Sequence, residues 1–233
     1  MSERTLARIA GALYLAVIAT GLVADFYVRS GLIVDDNPAA TAHNIVAHSA
    51  LYRLGFCADL LMLVCDVGVV AIFYRLFRPV SPLLALLTTA LRLSADAVLA
   101  ANLVLGYAPL VLLGASPYLQ GLGHDQLAAS ALLILDLHET AEVINMAIFG
   151  FYCLFFGKLI TMAGFIPRIL GVLLVIAGWC YLIFTFSHFL DLKFGGQLVP
   201  FIFMPGLLAE ASLAFWLAIV GLDITRWKAK AEM

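Results

Sequence analysis

Residues 132–158 form an apolar segment whose first half carries several side chains capable of chemistry. His138 and Glu142 are four residues apart and therefore share one face of a helix, and Asn145 continues that face. Ionisable groups inside a bilayer are costly and persist mostly where they face a cavity or one another. The segment is therefore predicted to be a half-polar helix around which the other helices pack.

Acidic residues are embedded in other apolar segments as well. A helical rise of about 1.5 Å per residue places most of them in the outer half of the membrane or near its midplane. Because several segments contribute, we expect a polar cavity that opens on the extracytoplasmic side. Its predicted lining residues, which are also the candidate ligand-binding residues, are Asp59, Asp66, Asp96, Asp136, His138, Glu142, Asn145 and Glu210.

A subset of these residues could hold a metal ion. His138 with the carboxylates of Asp59, Glu142 and Glu210 would supply one nitrogen and several oxygens, a donor set that suits Zn²⁺, Mn²⁺ or Fe²⁺. The alternative is a network of groups that hydrogen-bond one another, with or without a role in handling protons. The run HETAE at 138–142 is similar to the zinc helix H-E-x-x-H, but its second histidine is replaced by glutamate, which argues against a metalloprotease. Haem is disfavoured because His188 lies at a different depth from His138.

Spacing along single helices predicts two further relationships. Arg92 and Asp96 are four residues apart, so we expect them to form a structural ion pair within one helix. Asp59 and Asp66 are seven residues apart, so they share a helix face and are expected to face the same cavity.

The composition indicates a membrane protein. Hydrophobic residues make up 64% of the 233 residues and charged residues only 12%, about half the share found in soluble domains. A net charge of -2 leaves no basic surface for nucleic acid, so membrane lipids and a small molecule or ion are the expected partners. The four cysteines form no C-x-x-C motif, which excludes the spacing of a zinc ribbon.

A helix needs about 20 apolar residues to cross the hydrocarbon core. The chain is accordingly predicted to be an all-α integral membrane bundle, a single domain over residues 1–233 with six transmembrane helices. A short interfacial helix is expected on the extracytoplasmic side, with Asn37 as its N-cap and Pro38 at its first position. Most basic residues fall on the side of the N-terminus, which places both termini in the cytoplasm. The predicted spans are 7–28, 52–77, 83–113, 126–156, 167–190 and 200–226.

Several short motifs resemble those of a known family. They are YRLG at 52–55, MLVCDV at 62–67, RPV at 78–80, LDLH at 135–138 and GFIPRILG at 164–171. Together they resemble the bacterial membrane family called domain of unknown function 4386, and the likeness covers nearly the whole chain. The resemblance implies a multi-pass protein of the bacterial inner membrane with no established activity. The family often has glycine after the histidine where this chain has Glu139, which weakens any mechanism built on His-Glu-x-x-Glu.

Three functions remain open at the level of sequence. The favoured one is the binding or sensing of a small ligand or ion in the polar cavity, without turnover. The second is a proton- or cation-coupled transporter that uses Asp59, Asp66, Asp96 and Glu142 as a relay. The third is a metal-dependent intramembrane hydrolase with His138 as a metal ligand and a nearby carboxylate as base.

Overall fold

The structure, a computed structural model, describes residues 2–114, 117–119, 121–192 and 199–232, and every regular element within these ranges is helical. Six of the described helical segments are long and apolar enough to cross a membrane, which confirms the predicted all-α fold with six spans. The elements are α1 Glu3–Leu22, a π-helix Val23–Arg29, α2 Ser30–Leu32, α3 Pro38–Ala47, α4 Ser49–Phe77, α5 Pro82–Leu113, a 3₁₀ turn Pro117–Leu119, α6 His124–Ala163, α7 Arg168–Phe189, a 3₁₀ turn Phe201–Phe203, α8 Met204–Ile219 and α9 Ile224–Ala231.

The short helix α3 begins where its capping residues predict. The side chain of Asn37 accepts a hydrogen bond of 3.0 Å from the backbone N–H of Ala40, and Pro38 occupies the first helical position. The hydroxyl of Thr41 bonds both the N–H and the carbonyl of Val34, at 2.9 and 3.1 Å. These local bonds fix the chain where it leaves the first span and enters α3.

The last span ends earlier than predicted. Helix α8 stops at Ile219, whereas the predicted span continued to residue 226. Gly221 adopts a φ of 78°, and the N–H groups of Val220 and Gly221 both donate to the carbonyl of Trp216. Asp223 then caps α9 by accepting from the N–H groups of the next residues, 225 and 226. A left-handed glycine followed by a new N-cap therefore separates the span from a short helix with three basic residues.

The described chain forms two compact units. Unit 1 comprises Met1–Ala16, Cys65–Ala97 and Val143–Met233, and unit 2 comprises Val17–Val64 and Val98–Glu142. Helices α1, α4, α5 and α6 are each divided between the two units.

Unit 1 is held together by aromatic packing and by close helix contacts. The rings of Phe73 and Phe156 stack with centroids 4.9 Å apart, and Phe77 meets Phe156 edge-on at 5.0 Å. Helices α6 and α7 approach so closely that a Cβ at Gly157 or Gly171 would lie 2.5 Å from the carbonyl oxygen of the other. These contacts pack α6 against both α4 and α7 within the unit.

Unit 2 has its own apolar core beside its polar residues. The core consists of Val28, Leu32, Ile45, Tyr52 and Leu135, all buried. Gly55 of α4 allows the close approach of Val28, since an added Cβ would lie 2.9 Å from a methyl group of that valine. This packing fixes the π-helix against α4, and thereby fixes the arginine at its end.

Candidate functional site

Arg29 is the central cation of unit 2. It ends the π-helix, a form that is rare and frequently marks functional sites. Its Nε and Nη2 donate to Oδ1 of Asp25 at 2.8 and 2.5 Å, and its Nη1 donates to Oδ2 of Asp59 at 2.7 Å. Its Nη2 also lies 3.8 Å from Oε1 of Glu142. One guanidinium is thus placed among three carboxylates.

His138 lies next to this arginine cluster in the same unit. The residue is 5% exposed, and its Nε2 lies 3.0 Å from Oε1 of Glu142. Its Nδ1 lies 3.3 Å from the backbone carbonyl of Asn102, whose side-chain amide donates in return to the carbonyl of His138 at 3.0 Å. Gly106 leaves room for the imidazole, because a Cβ there would lie 3.2 Å from the ring. The histidine therefore has a fixed position and a fixed ring plane.

The hydrogen-bond partners of the imidazole indicate which ring nitrogen of His138 carries a proton. A carbonyl only accepts hydrogen bonds, so the contact with Asn102 places a proton on Nδ1 of His138. In a neutral ring Nε2 then presents a lone pair towards the carboxylate of Glu142. Within the described residues Nε2 has no hydrogen-bond partner. At a separation of 3.0 Å, a second ring proton on Nε2 would be donated to Oε1 and would make the imidazole cationic.

These groups line a cavity of about 590 Å³ in unit 2. This volume is within the range of small-molecule sites. Six carboxyl side chains and one guanidinium contribute to its wall, which also has apolar members. The lining residues are Asp25, Arg29, Ser30, Ile33, Asp35, Asp36, Leu132, Leu135, Asp136, His138, Glu139 and Glu142.

A second cluster lies in unit 1, around Arg92. Its Nε and Nη2 donate to the two oxygens of Asp66 at 2.7 and 2.5 Å, a bidentate pair in which both residues are buried. The predicted ion pair between Arg92 and Asp96 is therefore wrong: the guanidinium pairs with the neighbouring helix. Helical side chains lean towards the N-terminus, so Arg92 points away from Asp96, which lies one turn further on.

Aromatic rings enclose the guanidinium of Arg92. Its central carbon lies 4.6 Å from the ring centroid of Phe149, 4.7 Å from that of Tyr152 and 5.1 Å from that of Tyr14. In the part of the chain that the structure describes, Nη1 of Arg92 and Oδ2 of Asp96 are buried without a hydrogen-bond partner. In this cluster both oxygens of Asp66 are therefore paired, whereas Arg92 and Asp96 each keep one buried polar atom without a partner in the described chain.

Glu210, the fourth residue of the predicted metal set, also belongs to unit 1. Its carboxylate accepts hydrogen bonds from the hydroxyls of Tyr14 and Tyr181, at 3.1 and 2.8 Å. Gly206 makes room for the second tyrosine, because a Cβ there would collide with its hydroxyl. No group of three or more His, Cys, Asp or Glu residues that could hold a metal ion occurs among the described residues.

The predicted site residues therefore separate into distinct environments. Asp136, His138 and Glu142 line the cavity of unit 2, and Asp59 lies against its arginine. Asp66 belongs to the cluster of Arg92, in the other unit from Asp59. Asp96 and Asn145 also belong to unit 1, each with a buried oxygen that lacks a partner in the described chain.

Sequence reasoning missed several residues of these clusters. Arg29 is absent from the predicted site, although Asp25 precedes it by four residues at the end of an apolar run, a spacing that signals a pair. The tyrosines around Arg92 and Glu210 carry no such signal, because their positions fit an ordinary apolar helix face. Asn102 is likewise a lone polar residue in an apolar run.

Comparison with known protein families gives one match. The model of the family described as "Domain of unknown function (DUF4386)" matches residues 9–221. Searches of curated proteins and of solved structures found no match.

Proposed function

We propose that this multi-pass membrane protein binds a small organic cation in the cavity of unit 2. The chain belongs to the domain of unknown function 4386 family. The observation that carries the proposal is the charge of the cavity wall, where the described residues supply six carboxyl groups and the single guanidinium of Arg29. The binding role follows the function favoured by the sequence, and the ligand class follows from the geometry.

The charge balance of the wall favours a positively charged ligand. Arg29 contacts Asp25 and Glu142 among the lining acids, and it also contacts Asp59. In the described chain, Asp136 and Glu139 have no basic partner within ion-pair distance, and the same holds for the acids at 35 and 36. A concave surface of one sign raises the local concentration of ions of the opposite sign.

The form of the wall favours an organic amine over a bare metal ion. Ile33, Leu132 and Leu135 provide an apolar side to the cavity, which a metal ion could not use. A primary ammonium group carries three N–H donors, which could bond carboxylates of the cavity wall, among them Glu139 and Glu142. Binding would therefore place a positive charge beside wall carboxylates that have no basic partner in the described residues.

Calorimetric titration of the detergent-purified protein tests this proposal. Butylammonium is the probe, and tetramethylammonium, which has a charge but no N–H donor, is compared with it. We expect saturable binding of butylammonium and weaker binding of tetramethylammonium. Replacing Glu142→Gln removes a charge-assisted contact and should weaken binding about tenfold or more.

Asp125→Asn is the matched control, because Asp125 lies in the first turn of the same helix α6 but outside this cavity. This variant should bind butylammonium as the unaltered protein does. Absence of saturable butylammonium binding, or equal weakening in the two variants, would overturn the proposal.

A coupled transporter is the second candidate function. It is favoured by Asp96, a buried carboxyl whose Oδ2 lacks a partner in the described chain and which could take up a proton. Proteoliposomes with an imposed pH gradient distinguish the two functions. Accumulation of radiolabelled butylamine above that in protein-free liposomes, lost in Asp96→Asn, would establish transport, whereas saturable binding without flux supports binding or sensing.

We infer that the protein lies in the bacterial cytoplasmic membrane with both termini in the cytoplasm. The support is the family resemblance and the basic residues at the predicted inner ends of the spans, among them Arg4, Arg8, Arg78 and Arg168. A C-terminal fusion to green fluorescent protein should fluoresce, and a fusion to alkaline phosphatase should be inactive. The reverse pattern would contradict this orientation.

A further inference from the structure

An apolar groove of about 660 Å³ lies in unit 2, separate from the acidic cavity. It is formed by α4, α5 and α6, with Phe56 and Leu60 on one side, Leu103 and Val104 along the middle and Ile134 on the other side. Among the described residues that line the groove, only Tyr107 has a polar side-chain atom. The groove therefore offers hydrocarbon contacts along most of its length.

The dimensions of the groove match the hydrocarbon region of one leaflet. Helix α5 lines it from Ala100 to Leu112, a length of about 18 Å at 1.5 Å per residue, and half of the hydrocarbon core is about 15 Å thick. Leu60 is 42% exposed and Val104 is 71% exposed, on helices that are apolar enough to cross a membrane. An acyl chain could enter the groove directly from the bilayer.

A fixed cation stands beside this groove. Arg53, in the first turns of α4, donates from Nη1 to the hydroxyl of Tyr107 at 2.7 Å, and its guanidinium carbon lies 5.9 Å from the centroid of that ring. Phe56 packs against the same ring with centroids 4.8 Å apart. The arginine is exposed, and the tyrosine that lines the groove determines its position.

The charge of Arg53 is not balanced by an acidic side chain in the described part of the chain. Four other arginines there have a carboxylate within ion-pair distance, and Arg53 has none; the paired arginines are Arg29, Arg75, Arg92 and Arg226. Its remaining N–H groups are free to bind an anion. The planar fork of a guanidinium suits the oxygens of a phosphate.

We propose that the groove and Arg53 together form a binding site for one anionic phospholipid. One acyl chain occupies the groove between Leu60 and Val104, and the phosphate bonds the guanidinium of Arg53 near the start of α4. The hydrocarbon supplies apolar burial and the arginine selects a negative headgroup over a zwitterionic one. This site is independent of the amine-binding function and does not rest on it.

Native mass spectrometry of the full chain tests the lipid site. The protein is purified in mild detergent, stripped of lipid, and mixed with phosphatidylglycerol or phosphatidylcholine. We expect one tightly retained phosphatidylglycerol per chain and weaker retention of phosphatidylcholine. Arg53→Gln should lower phosphatidylglycerol retention about tenfold and remove the preference between the two lipids.

Two further variants separate the role of the groove from that of charge alone. Ala100→Trp places an indole in the groove at an exposed position and should lower the retention of both lipids. Arg78→Gln removes an exposed arginine just beyond the other end of α4 and should leave retention unchanged. Equal retention in the unaltered protein and Arg53→Gln, equal loss in Arg53→Gln and Arg78→Gln, or a dimer that forms in place of the lipid complex would overturn the proposal.

Discussion

Two arginines each pair with an aspartate of α4, but the surroundings of the two pairs differ. Arg29 pairs with Asp59 in unit 2 and lines a cavity, with 19% of its side chain exposed. Arg92 pairs with Asp66 in unit 1, with 3% of its side chain exposed and three aromatic rings around it. The guanidinium of Arg29 contacts several carboxylates, whereas that of Arg92 bonds both oxygens of a single carboxylate.

The difference separates a binding arrangement from a structural one. A guanidinium shared among carboxylates at a cavity can exchange part of its interactions when a ligand arrives. A guanidinium enclosed by rings has no such freedom, and its charge is compensated in a low-dielectric region where loss of either partner is costly. We therefore expect substitutions at Arg92 to affect stability first, and substitutions around Arg29 to affect ligand binding as well.

The largest effect is expected for Arg92→Leu. Removing the cation leaves Asp66 buried and unpaired, which should lower the free energy of unfolding by about 3–5 kcal/mol. Unfolding in mixed micelles measures this value. The double variant Arg92→Leu, Asp66→Leu removes both charges and should recover part of the loss. A double variant that is less stable than Arg92→Leu would contradict a structural role for this pair.

A smaller loss of stability is expected for Asp59→Asn. Arg29 keeps its contacts with Asp25, so the cost should be that of a charge-assisted hydrogen bond, about 1.5–3 kcal/mol. The same variant should also change the affinity for butylammonium, since it alters the charge beside the cavity. Calorimetry and unfolding on one preparation measure both quantities. If the stability loss equals that of Arg92→Leu, the distinction between the two clusters fails.

Phe149→Leu tests the aromatic enclosure of Arg92. The substitution keeps an apolar side chain but removes the ring that lies 4.6 Å from the guanidinium carbon, and should cost about 1–2 kcal/mol. Combined with Arg92→Leu, the same substitution should cost less, because no cation remains. A double-mutant cycle measures this coupling, and a coupling of zero would show that the ring acts only through packing.

The smallest effect is expected for Arg75→Gln. The side chain of Arg75 is 62% exposed, so solvent and salt screen its pair with Glu3. The unfolding midpoint should remain within error of that of the unaltered protein. A clear loss would show that exposed pairs contribute here as buried ones do.

The parts of the fold that depend on local sequence could be predicted. Runs of apolar residues locate the spans because the bilayer requires a minimum length, and Asn37 with Pro38 locates the start of α3 because a cap acts over three residues. The contact between His138 and Glu142 is local in the same sense, since both lie on one helix face.

Contacts between helices could not be predicted from spacing. The partner of Arg92 depends on how α4 and α5 are rotated about their axes, and a short-range rule selected Asp96 where the structure has Asp66. Spacing along the helix likewise could not predict the partners of Asp59 and Asp66. They lie seven residues apart on α4, and each pairs with an arginine from a different compact unit.

The π-helix at Val23–Arg29 has a consequence for how the chain tolerates changes in length. A π-helical turn accommodates more residues per turn than an α-helix, so deleting one residue from the segment, for example Tyr27, would restore regular winding. Each residue of a π-helix turns through a smaller angle than the roughly 100° of an α-helix, so the seven residues of this segment turn about as far as six α-helical residues. The deletion would therefore leave Arg29 directed towards Asp59, and we expect such a protein to keep butylammonium binding. A deletion in the regular part of α1 would instead turn Arg29 by about 100° and abolish that binding. The first span thus holds one residue that can be removed without turning the arginine.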